Sequence, residues 1–350
     1  MDLSNFDPNG VGVDNGNYFG LPSTPEDSEL VLLSAPWDVT VSYGAGTANA
    51  PDAIIEASTQ LDLYDAAAPG EWRRGIATAA VDYSLQETSA QLRRDAERVI
   101  EHLEEGGKVE DESIARKIRR INEGCRAMNE NLYNQAREWL AKGKLIGLVG
   151  GDHSTPYGVV RALAEQHKRF GILHIDAHCD LRIAYEGFTY SHASIMHNIL
   201  QDVPQVERLV EVAVRDFCDQ EQEHARINPR IEMFDDRRLA EAAFEGVPWQ
   251  EQCRRIVEAL PEEVYISFDI DGLSPDLCPH TGTPVPGGLT FREATYLLEQ
   301  VVQSGRRIIG FDLVEVTPKE GERTDEIVGA RILYKLCGLT LKSNPRNSRK

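Results

Sequence analysis

Acidic and imidazole side chains alternate along two short apolar stretches, in a spacing that suits metal binding. One stretch places Asp176, His178 and Asp180 at every second position. The other places Asp269 and Asp271 in the same way. In an extended strand, residues two apart point to one side, so each set can converge. Buried carboxylates repel one another, and two divalent cations would cancel the charge of all four, so the spacing predicts a binuclear metal site.

The types of donor atom limit which metal can bind and which residues can be its ligands. Carboxylate oxygens with imidazole suit Mn²⁺, with Fe, Co or Ni possible, whereas zinc would be expected with fewer carboxylates. His174 has the right parity but lies deeper in its stretch, so we expect a hydrogen-bonded core histidine. Cys179 has the opposite parity and is predicted to pack. His153 follows Gly-Gly-Asp just before a predicted helix and is a further candidate, with Asp152 orienting it or capping the helix.

Short apolar runs alternate with helical patterns along the chain, which predicts an α/β fold with a parallel sheet covered on both faces. Ligands of such sheets bind beyond the carboxyl ends of the strands, where the candidate residues lie. The predicted strands are 30–35, 75–82, 145–150, 171–176, 208–215, 230–234, 263–270 and 307–314. The predicted helices include 155–167, 247–259, 291–303 and 323–338.

Composition divides the chain into one large domain and two flanking segments. Residues 1–28 are rich in Gly, Asn, Pro and Asp and predict an irregular arm; residues 29–342 form the α/β domain, and 343–350 a disordered tail. The charged segment 85–142 is longer than one crossover helix needs. It is interpreted as either a helical pair packed on the sheet or an oligomer contact.

The charge and cysteine content exclude several classes of function. The chain has 350 residues, 41% of them hydrophobic, and a formal net charge of −20, so no basic face is expected to bind nucleic acid. No apolar run approaches the roughly 18 residues that span a membrane. The amino terminus has no signal-peptide pattern. Six cysteines without a CxxC pair indicate reduced thiols and a cytoplasmic protein.

Five stretches together resemble the ureohydrolase family, which includes arginase, agmatinase, guanidinobutyrase and guanidine hydrolase. In order along the chain, the matching stretches are 36–54, Gly150–Ser154, His174–Asp180, Ser267–Leu289 and Gly310–Pro318. The resemblance implies a single three-layer, arginase-like domain with an open sheet of about eight strands. It also implies hydrolysis of a guanidino C–N bond by a hydroxide held between two divalent cations, with release of urea.

The resemblance assigns roles residue by residue. It implies one metal held by His153, Asp176, Asp180 and Asp269, and another held by His178, Asp176, Asp269 and Asp271. Asp176 and Asp269 would bridge the two ions, with Mn²⁺ expected and Ni²⁺ plausible. Glu315 matches the glutamate that faces the guanidinium group, and His192 matches an active-site histidine. Asp180 would orient the nucleophile, and either Asp180 or His192 would protonate the departing amine.

The loop after Asp180 bears on the substrate. It lacks the Asn-Thr-Pro and Ser-Gly-Asn stretches with which arginase holds its amino acid, and it resembles the guanidine hydrolase branch most. Thr40, Tyr185 and Tyr190 are expected to contact the substrate with His192 and Glu315. A crowded pocket favours free guanidine, giving urea and ammonia. The alternatives are agmatine, another guanidino acid or arginine.

Two other classes stay open at this stage. A deacetylase-like amidohydrolase would share the sheet but use a single zinc ion. A retired, non-catalytic subunit is disfavoured because every ligand position and Glu315 carry competent residues. The family resemblance also implies a homo-oligomer, either a trimer or a hexamer.

Overall fold

The protein's computed structural model describes residues 6–346, and within them eight strands form one parallel sheet. The strands are β1 (Leu30–Ala35), β2 (Ile76–Thr78), β3 (Leu145–Gly150), β4 (Phe170–Ile175), β5 (Val206–Val212), β6 (Ile231–Phe234), β7 (Glu263–Asp269) and β8 (Arg307–Val314). The helices are α1 (Ala50–Ser58), α2 (Tyr83–Glu104), α3 (Glu112–Ala141), α4 (Tyr157–Ala164), α5 (Ile195–Asp202), α6 (Asp219–Ile227), α7 (Asp236–Phe244), α8 (Trp249–Glu258), α9 (Phe291–Gln303) and α10 (Thr324–Ser343).

Helices cover both faces of the sheet, which confirms the predicted three-layer α/β fold. Successive residues of β1 point to opposite faces, so Leu30 and Leu32 join one apolar core while Val31 and Leu33 join the other. The first core contains the buried face of α10, and the second contains the buried faces of α2 and α3. Strands buried on both faces in this way read as continuous apolar runs.

Strand order explains why distant segments of the chain meet. The order across the sheet is β2-β1-β3-β8-β7-β4-β5-β6. The chain passes from β3 to β4 and leaves a gap that β8 and β7 fill later. Parallel strands end at the same edge, so the segments after β3, β8, β7 and β4 are neighbours there.

The predicted elements largely match, and β2 is the clearest difference. Its predicted span was 75–82, whereas the strand covers Ile76–Thr78. The reason is a helix start, because the Asp82 side chain accepts a hydrogen bond from the backbone N–H of Ser84 at 3.1 Å and caps α2. An N-cap side chain commits the backbone to the helix and so ends the extended segment early.

The 85–142 segment forms the helical pair α2 and α3, which pack on each other, and α3 also contacts β1 and β3. In the arm, Tyr18, Phe19 and Leu21 are buried in the first core. The domain boundaries stay a prediction. Residues 1–5 of the predicted arm and 347–350 of the predicted tail lie outside the described residues.

No helix in the described part of the chain is long and apolar enough to cross a membrane.

Candidate metal centre and substrate cavity

A first cluster of metal-binding side chains surrounds the imidazole of His153. The Nδ1 atom of His153 lies 2.9 Å from Oδ2 of Asp176, 3.1 Å from Oδ2 of Asp180 and 3.2 Å from Oδ2 of Asp269. All four side chains are buried. They come from the ends of β3, β4 and β7, so the sheet order brings together donors that are far apart in sequence.

A second cluster adjoins the first through Asp176. The Nδ1 atom of His178 lies 3.3 Å from Oδ1 of Asp176 and 3.2 Å from Oδ2 of Asp271. Asp176 therefore directs one oxygen toward each histidine, the geometry that a bridging ligand needs. Asp269 differs, because its Oδ1 accepts the backbone N–H of Asp271 at 2.8 Å while its Oδ2 faces His153.

A hydrogen-bond chain fixes which nitrogen of His153 faces the carboxylates. The Nε2 atom lies 2.9 Å from Oγ of Ser267, and this hydroxyl donates to Oδ1 of Asp312 at 3.1 Å. A hydroxyl has one proton, so Ser267 must accept from Nε2–H, and Nδ1 is the nitrogen left to face the carboxylates. The sequence reasoning gave Ser267 and Asp312 no such role; the same-side spacing of Ser267 and Asp269 was the available signal.

His174 lies behind the cluster, consistent with the expectation that it is a buried, hydrogen-bonded histidine. Its Nε2 is 2.9 Å from Oδ2 of Asp176, and its Nδ1 is 3.9 Å from Oε1 of Glu211. Burial raises the pKa of Glu211 to about 7. Sequence reasoning missed Glu211, whose side chain is fully buried in β5.

The charges of the cluster oppose one another when no cation is bound. Burial, and then the nearby Asp176 carboxylate, raise the pKa of Asp180 to about 6. Burial with Asp271 and Asp176 raises the pKa of Asp269 well above its usual range. Burial lowers the pKa of His153, but the Asp176, Asp180 and Asp269 carboxylates more than offset this and raise it well above the usual range. Three carboxylates around one imidazole nitrogen form a donor set that fits a divalent cation, which would take the place of the proton.

Two residues of the site have the left-handed backbone that non-glycine residues rarely adopt. The φ angle is 53° at Asp180 and 60° at Glu315. At Glu315 the turn is held by its backbone N–H, which donates to Gly151 O at 3.0 Å, and by Thr281 Oγ1, which donates to its carbonyl at 2.9 Å. Such strain persists where surrounding contacts determine it, commonly at functional sites.

Glu315 is buried beside the first cluster. Its Oε1 accepts the backbone N–H of His153 at 2.8 Å. Burial, and then the Asp152 carboxylate, raise its pKa well above the usual range. The end of β8 therefore places a glutamate carboxyl group next to the ends of β3 and β7.

A cavity of about 170 Å³ opens beside the second cluster. It brings together four predicted site residues, His178, Asp180, Tyr185 and His192. The other lining residues are Ser42, Arg182, Ala193, Asp216, Phe217, Glu221 and Thr283, none of which was predicted as a site residue. Arg182 and Asp216 add a positive and a negative group to the cavity wall, and the backbone of Asp216 pairs with that of His178.

Three of the predicted catalytic or substrate-binding residues do not line this cavity. Glu315 lies beside the first metal-binding cluster, as described. Thr40 is buried and acts on His192 from behind: its Oγ1 accepts the backbone N–H of His192 at 3.1 Å. The ring of Tyr190 packs against that of Tyr157, with centroids 5.5 Å apart.

His192 lies between the cavity and the loop that contains Thr40. Its Nε2 is 3.4 Å from Oγ of Ser42, and its ring centroid is 6.2 Å from that of Tyr185. Burial, followed by the nearby His178, lowers its pKa to about 3. The imidazole is therefore neutral near pH 7 and can take part in hydrogen bonds without carrying charge.

Known proteins resemble this chain over nearly its full length. The model of the Arginase family matches residues 28–338. N(1)-aminopropylagmatine ureohydrolase of Thermus thermophilus is 32% identical over 323 residues, covering 92% of this chain and 94% of that protein. Agmatinase of Pyrococcus horikoshii is 26% identical over 325 residues, covering 91% and 94%.

Solved structures share the fold. Proclavaminate amidino hydrolase from Streptomyces clavuligerus superposes with a TM-score of 0.71 at 23% identity, covering 95% of this chain and 99% of that chain. The family model spans all the strand ends that carry the acidic and histidine side chains. This protein is thus a hydrolase of amidino C–N bonds, and the chain belongs to the arginase family.

Proposed function

We propose that this protein hydrolyses a small guanidino compound and releases urea, with two divalent cations as cofactors. The observation that carries the proposal is the pair of His–Asp clusters that share Asp176 at the edge of a cavity. Family membership supports ureohydrolase chemistry in particular. A deacetylase-like or non-catalytic function has no comparable support.

The ligands proposed for the cations are the buried acidic and histidine side chains of the two clusters. They are His153, Asp176, Asp180 and Asp269 for one ion, and His178, Asp176, Asp269 and Asp271 for the other. Two such ions, when bound, supply Lewis acidity and lower the pKa of a water molecule toward neutrality. The carboxylate-rich donor set favours Mn²⁺, and Ni²⁺ is the other candidate.

The protein side chains orient the reactants and move protons. Glu315 pairs with the guanidinium group and holds its plane toward the nucleophile. Asp180 accepts a hydrogen bond from the attacking water and takes its proton. The oxygen adds to the guanidinium carbon, and Asp180 returns the proton to the departing amine as the C–N bond breaks. The proton left on the new urea oxygen passes to the amine, so that urea and an ammonium ion leave.

Free guanidine is the first substrate that we propose. The ring of Tyr185 stands beside His192 and narrows the cavity. The guanidinium of Arg182 lies over that ring at 4.7 Å, which places a positive charge where a longer substrate would extend. A second positive charge on the substrate tail would be repelled there, so a substrate without a charged tail is favoured.

Agmatine or a longer alkylguanidine is the second candidate. The exposed Asp216 carboxylate lines the cavity and could pair with a terminal ammonium group. The Thermus relative is named for an aminopropylagmatine substrate, which supports this alternative.

A substrate panel with defined metals tests both candidates. The metal-free protein is loaded with Mn²⁺ or Ni²⁺, and urea release is measured from guanidine, agmatine, guanidinobutyrate and arginine. We expect guanidine to give the highest kcat/KM, whereas fastest turnover of agmatine would replace it with the second candidate. Asp269→Ala should lose both bound metal and urea release, while the exposed Asp14→Ala should keep both. Urea release by a metal-free Asp269→Ala protein would refute the mechanism.

A further inference from the structure

The α2–α3 hairpin contacts both loops that border the cavity. From α2, the guanidinium of Arg93 donates to the carbonyls of Val39, at 3.3 Å, and Val41. Also from α2, Oγ of Ser89 accepts the backbone N–H of Asp38 at 3.0 Å. These bonds attach residues 38–41 to α2. The same loop continues to Ser42, which lines the cavity.

From α3, Asn122 holds the opposite loop, residues 181–190, with both ends of its amide. Its Nδ2 donates to the carbonyl of Gly187 at 3.1 Å, and its Oδ1 accepts the backbone N–H of Thr189 at 2.9 Å. The loop approaches α3 closely here, because a Cβ on Gly187 would stand 2.8 Å from Cδ1 of Ile118. This contact leaves no room for a side chain at the turn.

The turn held by Asn122 carries an aromatic side chain of the cavity. Tyr185 and Phe188 exchange backbone hydrogen bonds of 3.3 and 2.8 Å across the turn. The two residues between them, Glu186 and Gly187, have φ angles of 55° and 83°, as in a tight two-residue hairpin. Tyr185 is the residue just before the two turn residues. A shift of Gly187 therefore moves the Tyr185 ring.

The reactive end of the same loop has a separate anchor. The carbonyl of Asp180 accepts the backbone N–H groups of Met196 and His197 at 3.1 and 3.2 Å, at the start of α5. The metal-binding part of the loop is thus tied to α5. The Tyr185 part is tied to α3 through Asn122 and has one further bond to α5, because Nδ2 of Asn198 donates to the carbonyl of Thr189 at 2.9 Å. A substitution in α3 should therefore alter substrate binding more than it alters the rate of the chemical step.

We propose that the α2–α3 hairpin sets the shape of the substrate end of the cavity, with Asn122 as its positioning residue. The role in substrate selection rests on the proposed function, whereas the docking of the loop does not. Asn122 acts through Gly187 and Thr189 on Tyr185, and it does not touch the metal ligands.

Hydrogen exchange tests the docking. In Asn122→Ala, the backbone amide of Thr189 loses its acceptor, and its exchange should accelerate roughly tenfold, as expected for a lost hydrogen bond. Asn134→Ala is the matched control, because this exposed residue of α3 bonds only the carbonyl of Glu130 in its own helix. Amides of β4 should exchange alike in all three proteins, which excludes global destabilisation. Unchanged exchange at Thr189 would overturn the proposal.

Steady-state kinetics test the consequence for the substrate. Asn122→Ala should raise KM for the preferred guanidino compound about tenfold and leave kcat within about twofold, since Asp180 keeps its anchor. Asn134→Ala should match the wild type. A fall in kcat at constant KM, or unaltered kinetics beside faster Thr189 exchange, would overturn the selection role. If the wild type turns over no guanidino compound, the proposed function fails, while the exchange result still decides whether Asn122 docks the loop.

Discussion

The Nε2 atom of His153 and the Oγ atom of Ser267 lie 2.9 Å apart, and this contact selects the nitrogen that faces the metal ligands. The Ser267 hydroxyl is itself committed to Asp312 as a donor. His153 must therefore turn its Nδ1 atom toward the carboxylates. A serine at the end of β7 thus controls a histidine that follows β3.

Removing this hydroxyl should weaken metal binding. In Ser267→Ala, the His153 ring loses the partner that fixes its tautomer, and divalent-metal affinity should fall by roughly 10- to 100-fold. Equilibrium dialysis against Mn²⁺ with metal analysis measures the change. The exposed Ser304→Ala serves as a control that keeps wild-type affinity. Equal Mn²⁺ affinities for Ser267→Ala and the wild type would contradict the assignment.

Metal removal should destabilise the fold through carboxylate repulsion. Adding Mn²⁺ to the chelated protein should raise the free energy of unfolding by about 2.7 kcal/mol for each bound ion at a hundredfold excess over its dissociation constant. Asp269→Asn removes one of the opposed charges, so the metal-free variant should be more stable than the metal-free wild type. Thermal melts with and without Mn²⁺ measure both effects. A less stable metal-free Asp269→Asn would argue against repulsion in the cluster.

Tyr185 should restrict the length of the substrate. Tyr185→Ala opens the cavity beside His192, so the ratio of kcat/KM for agmatine to that for guanidine should rise by about tenfold or more. Urea assays with both compounds give the ratio. Tyr64→Ala, at an 80% exposed position, is the control. A constant ratio in Tyr185→Ala would show that the ring does not select substrate.

Glu186 should make stability depend on pH. Burial, partly offset by Arg93, raises its pKa from 4.5 to about 7. Between these values the folded chain holds a proton that the unfolded chain has lost. Stability from this group is thus full below pH 4.5 and is lost as the pH rises through about 7.

The neutral variant Glu186→Gln isolates this effect. Its melting temperature should exceed that of the wild type at pH 8, and the difference should shrink toward pH 5, because the wild-type carboxyl is then protonated. Thermal melts across this pH range measure it, with the exposed Glu87→Gln as control. A difference that grows toward low pH would contradict the assigned direction.

Much of the fold was predictable because local signals agreed. The strands β1, β3 and β8 have the predicted bounds, since apolar runs between polar turns mark buried parallel strands. The end of β2 was not predictable, because the sequence around Asp82 is compatible with either a longer strand or a helix start. The capping bond of Asp82 shows that the helix forms. The two loop tyrosines were both predicted to contact the substrate, but only Tyr185 lines the cavity, while Tyr190 packs on Tyr157. Sequence alone does not show which way a loop side chain turns.

The sequence by itself predicted that Asp176, His178, Asp180, Asp269 and Asp271 converge, from the rule that side chains two apart on a strand share one face. In the structure β4 ends at Ile175 and Asp271 lies in a 3-10 turn, so the loops after β4 and β7 divide these residues between the two clusters. Only the tertiary structure decided which residues act on them. The order of strands places His153 and Ser267 together although they are 114 positions apart. It likewise sets Asn122 against Gly187, 65 positions away. Sequence spacing fixes the face of a strand, whereas contacts between distant segments depend on how the sheet and helices pack.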